Sequence, residues 1–89
     1  MVISRSAVRH RKFTERVNAL ALVVPRAVEI VDGAVWEICR QPAESGVYIE
    51  KIDVWQARLV HPPVLLLYGF NRRYVYMLTI ISAETSLEF

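Results

Sequence analysis

Residues 61–81, HPPVLLLYGFNRRYVYMLTII, constrain the fold most. Two strongly apolar runs, Val64–Phe70 and Arg73–Ile81, flank Asn71-Arg72. Runs of this length, rich in β-branched and aromatic residues and joined by a polar tip, predict an antiparallel hairpin. Alternation along the second run puts Tyr74, Tyr76, Leu78 and Ile80 on one face and Val75, Met77, Thr79 and Ile81 on the other. Neither set is polar. Such a strand is either central, with both sides covered, or part of an interface.

The preceding segment, Tyr48 to Val60, is β-prone but broken by Glu50, Lys51, Asp53 and Arg58, and His61-Pro62-Pro63 separates it from the hairpin. Further upstream the period changes to that of helices. Phe13, Val17, Leu20, Ala21 and Val24 form one stripe of a helix expected to start from a Ser4 or Ser6 cap and reach about Val23. Pro25 suits the start of a second helix, whose apolar face is Ala27, Val28, Ile30, Val31, Ala34, Val35, Ile38 and Cys39, with Trp36 on the polar side; Pro42 ends it. Val2-Ile3 reads as a short edge strand and residues 82–89 as a tail. The expected architecture is one α+β domain over 1–89: an N-terminal helical hairpin packed on a three- to four-stranded antiparallel sheet.

Composition matters at this point. The apolar share is 54% in only 89 residues. A small domain has too little interior to hide that much apolar surface, so a second chain is expected to cover part of it. The apolar runs, Ala19–Val24 and Pro62–Gly69, are far shorter than the ~18–20 residues of a membrane-spanning helix. No signal-peptide pattern follows the N-terminal arginines. The single Cys39 cannot form an intramolecular disulfide or a cysteine metal cage, which suits a reducing cytoplasm. Two histidines without an acidic cluster predict no metal site, and no cofactor motif is present.

The net charge of +2 conceals an asymmetry: residues 1–26 carry Arg5, Arg9, Arg11, Lys12, Arg16 and Arg26 against Glu15 alone, and the remainder is net acidic. On the expected first helix Arg5, Arg9, Lys12 and Arg16 fall in one ridge, suited either to solvent or to docking on nucleic acid or an acidic partner. Arg72 and Arg73 at the hairpin tip serve solubility or the same contact.

Several segments resemble the RelE/ParE superfamily of bacterial toxins, including its HigB-like and phage-derived branches. VISRSAVRHRKF is similar to the family's opening strand and first helix, KIDVWQARL to its first hairpin strand with an arginine a few positions after an aromatic residue, and LLLYGFNRRYVYMLTI to the two following strands. The resemblance implies a toxin of a type II toxin–antitoxin system acting on mRNA or the ribosome, masked by a cognate antitoxin or by self-association through its apolar strands. Metal-independent RNA cleavage would use the RNA's own 2′-hydroxyl, with a base, an acid and cations for the phosphorane. Arg58, Lys51 and His61 are the candidates for those roles, and Tyr68, Tyr74 or Tyr76 for base stacking. The chain departs from the ribonuclease pattern at Pro63-Val64, where a Tyr-Arg pair is usual, and in SAETSLEF, which has no basic residue. These departures keep open a non-catalytic, ParE-like inhibitor of DNA gyrase, and a non-toxic interaction module.

Overall fold

The second strand of the hairpin, Tyr74–Ser82, lies inside a five-stranded mixed sheet, with neighbours on both edges. The computed structural model describes residues 4–83, so Val2-Ile3 and most of the expected tail lie outside the described residues. The elements are β1 (Ser6–Arg9), α1 (Arg11–Ala21), α2 (Ala27–Arg40), β2 (Val47–Ile49), a 3₁₀ turn (Glu50–Ile52), β3 (Val54–Arg58), β4 (Val64–Phe70) and β5 (Tyr74–Ser82). The sheet order is β1-β5-β4-β3-β2, with β1 parallel to β5 and the other pairs antiparallel. The fold is thus α+β, as expected, but the sheet is neither three- to four-stranded nor purely antiparallel.

Two local causes account for the difference. Residues 6–9, read as the first turns of α1, are extended because the free edge of β5 offers them a full set of hydrogen bonds. Ser6 N–H donates to the Arg73 carbonyl and His10 N–H to that of Met77, both at 2.9 Å. His10, not Ser4 or Ser6, then caps α1, its Nδ1 accepting from Lys12 N–H at 3.1 Å. Further on, Asp53 turns left-handed (φ 52°) and folds residues 47–58 into a hairpin of their own, adding β2.

Between the helices, Pro25 lies just outside α2, and Arg26 makes the bend in a left-handed conformation (φ 63°). Both helices lie on one face of the sheet. Phe13 and Val17 of α1, and Val31, Val35, Ile38 and Cys39 of α2, pack against Ala57, Val64, Leu66, Tyr68, Val75, Met77 and Ile80. The buried face of α2 is narrower than predicted, since Val28 is exposed and Ile30 only partly covered. Trp36 does point outward, under the Arg40 guanidinium at 4.7 Å.

In β5 simple alternation fails at one residue. Leu67 pairs with Thr79 but Tyr68 pairs with Met77, so Leu78 has no partner and forms a bulge. One extra residue exchanges the faces beyond it. Ile80 therefore joins Val75 and Met77 in the core, not Tyr74 and Tyr76. Ser82, expected in a tail, still pairs with Val64, and Ala83 N–H bonds to the Pro63 carbonyl.

Candidate nucleic-acid interface

The face of the sheet turned away from the helices carries Ser6 and Val8 of β1, Tyr74, Tyr76, Thr79 and Ile81 of β5, Leu65, Leu67 and Gly69 of β4, and Val54, Gln56 and Arg58 of β3; strand parity and register place them there together. It is apolar and aromatic rather than charged, unlike the usual solvated face of an antiparallel sheet.

Its most accessible feature is a pair of tyrosines. Tyr74 and Tyr76 are 39% and 38% exposed, with ring centroids 6.1 Å apart. Across the ladder, Tyr76 is opposite Gly69 on one side and Val8 on the other. A Cβ at Gly69 would meet nothing within 4 Å, so the ring borders open space. Asn71 organises the adjacent tip. Its Oδ1 accepts from Arg73 N–H and Tyr74 N–H, both at 2.9 Å, and its Nδ2 donates to the Tyr76 hydroxyl at 3.2 Å. This side-chain mimic of a turn fixes the tip and the tyrosine beside it.

Three of the predicted cations converge on that end of the sheet. Arg72 and Arg73 occupy the tip itself. Arg5 reaches it from the start of β1: its Nε donates to the Asn71 carbonyl at 2.6 Å and its guanidinium lies 5.3 Å from the centre of the Phe70 ring. The other members of the expected ridge are elsewhere, because β1 takes the place of a helical turn. Arg9 is paired with Asp32 at 2.8 Å, against the helix-side face, while Lys12 and Arg16 remain on the exposed side of α1.

The three proposed catalytic residues do not form a cluster. Arg58 is the exposed last residue of β3, opposite Leu65; Lys51 is in the 3₁₀ turn before the start of the same strand. Four residue steps of β3 alone put ~13 Å between those ends. His61, exposed in the connection that follows β3, is near Arg58 along the chain and remote from Lys51. Among the described residues, Lys51, Arg58, Arg72 and Arg73 make no ion pair, and no three His, Cys, Asp or Glu side chains come together as a ligand set.

Tyr68 is excluded as a stacking platform. Its ring is fully buried, lies 6.4 Å from Trp55, and its hydroxyl donates to the Pro42 carbonyl at 2.6 Å; burial pushes its pKa up to about 12. Cys39 is also buried, with its thiol pKa raised by desolvation and partly lowered by the Arg9 and Arg5 charges. Sequence reasoning missed Asn71 and Gly69. A glycine within an otherwise apolar strand was the available signal for open space beside a ring. Among the described residues no helix is long and apolar enough to cross a membrane. No known family model matches this chain, and no characterised protein matches it either.

Proposed function

We propose that this protein binds single-stranded RNA across the open face of its sheet, in keeping with the toxin-type resemblance of its strands. The observation that carries the reading is the Tyr74–Tyr76 pair, exposed beside Gly69 and bordered by Arg5, Arg72 and Arg73. Aromatic rings on a sheet surface stack unpaired bases, and flanking arginines meet the phosphates. Arg58 lies on the same face, ~18 Å away by strand geometry, where it would meet the backbone of a strand laid across the sheet.

The test is fluorescence anisotropy with a labelled single-stranded RNA dodecamer at two salt concentrations. Replacing both Tyr74 and Tyr76 by Ala should weaken binding ~10-fold or more, because each stacked base contributes about 1–3 kcal/mol. Equal affinity of the wild type and the double variant at both salts would rule the interface out.

A second reading is binding without chemistry, as in a gyrase inhibitor or a non-toxic module. The separation of Lys51 from Arg58 and His61 favours it, since an acid, a base and a phosphate-stabilising cation must share one reacting phosphate. Incubation with ribosome-bound mRNA decides between the two. Cleavage by the wild type that Arg58→Ala abolishes supports a ribonuclease; intact mRNA supports binding alone.

A further inference from the structure

The largest cavity is on the other side of the sheet. It is an open groove of about 400 Å³ between the C-terminal half of α1 and the ends of β4 and β5, walled by Leu20, Val24, Pro62, Val64 and Ile80, with Arg16 at its rim. The apolar stripe of α1 is used unequally. Phe13 and Val17 are in the core, whereas Leu20 and Val24 remain partly exposed. Around the same end, Leu22, Val23 and Val60 are 86%, 77% and 71% exposed, the highest values among the large apolar residues. Apolar surface gathered around a concavity marks a place where something binds.

Charge specifies the occupant. Arg16 is the only charged residue lining the groove, and among the described residues it has no ion pair; nor has Lys12, one turn earlier on α1. Two like charges at i and i+4 repel each other along a helix, and a carboxylate placed beside them removes that penalty. A second copy of the chain would bring the same basic rim against its own image in a two-fold contact. We propose that the groove docks a peptide segment of a partner protein, with large apolar side chains in the groove and a carboxylate on Arg16. This is helix- or strand-in-groove recognition, and it does not depend on the RNA reading.

Panning a random dodecapeptide library on phage against the immobilised protein, then measuring synthesised winners by anisotropy, tests the proposal. Winners should carry at least two large apolar residues and an Asp or Glu. Arg16→Glu and Val24→Asp should each weaken them about ten-fold or more, and replacing the peptide's acids by Lys should do the same. The proposal is overturned if no peptide enriches, if winners bind both variants as tightly as the wild type, or if sedimentation equilibrium shows a dimer that Val24→Asp dissociates. Circular dichroism and RNA affinity, measured on the same variants, separate this result from that of the tyrosine interface. Groove variants should keep RNA binding, and the tyrosine double variant should keep peptide binding.

Discussion

Val75 and Tyr76 are neighbours in the chain and belong to two different environments. Val75, with Met77 and Ile80, is sealed beneath the helices, whereas Tyr76, with Tyr74 and Val8, is exposed on the opposite face of the same sheet. Both faces are built from apolar or aromatic residues, so composition does not distinguish them. Position does. β5 has β1 on one edge and β4 on the other, and only one of its faces lies against α1 and α2. The buried face is held by close packing; the open face is free to change its contacts. Substitutions on the first should therefore read out mainly in stability, and on the second mainly in binding.

The strongest test is a matched pair of truncations. Phe13 is fully buried between α1 and the sheet, so Phe13→Ala should cost about 3–5 kcal/mol in urea denaturation. Tyr76→Ala, on the open face, should cost less than about 1 kcal/mol while still weakening RNA binding. A loss at Tyr76 as large as that at Phe13 would mean that the two faces do not differ in the way proposed.

The glycines give a second, smaller contrast. At Gly46 an added Cβ would be 2.5 Å from the Gln56 carbonyl oxygen and 2.6 Å from the Tyr68 hydroxyl. The first of these is backbone and cannot move aside cheaply, so Gly46→Ala should destabilise by about 1–3 kcal/mol. Gly69 faces open space, and Gly69→Ala should stabilise by up to about 0.5–1 kcal/mol through the lost backbone entropy of the unfolded chain. Thermal or urea melts of the two variants should move in opposite directions.

Much of this arrangement was legible in the residues, for identifiable reasons. The hairpin of β4 and β5 follows from two apolar runs around a polar tip, and α2 from its periodicity and Pro42. What was not legible depended on partners remote in sequence. The stretch Ser6–Arg9 is compatible with a helix until the edge of β5 competes for it. The bulge at Leu78 arises from the pairing with β4, and without that pairing Ile80 is indistinguishable from Tyr76 by alternation. The same limit applies to the site. Arg72 and Arg73 were placed correctly at a tip, but the arrival of Arg5 beside them required the parallel pairing of β1, and the expected four-residue ridge dissolved for the same reason. Lys51, Arg58 and His61 are close in sequence and come apart because β3 is extended between them.

The smallest effect concerns the tyrosine on the buried side. Tyr68 donates to the Pro42 carbonyl, so Tyr68→Phe should cost about 1 kcal/mol at neutral pH by leaving that acceptor without its donor. Alkali should distinguish this tyrosine from those of the open face. Its pKa is raised from 10.0 to about 12 by burial, so the folded state holds the proton more tightly than the unfolded chain does. The corresponding stability is fully present below pH ~10 and is lost as pH rises from there through about 12. Tyr48 is also shifted upward, chiefly by its hydrogen bond to Asp53, but it is exposed, and Tyr48→Phe serves as the control. Urea midpoints measured from pH 9 to 12 should fall less steeply in Tyr68→Phe than in the wild type or in Tyr48→Phe. If all three fall in parallel, burial of the Tyr68 hydroxyl is not what makes the closed face sensitive to alkali, and the contrast between the two faces would rest on packing alone.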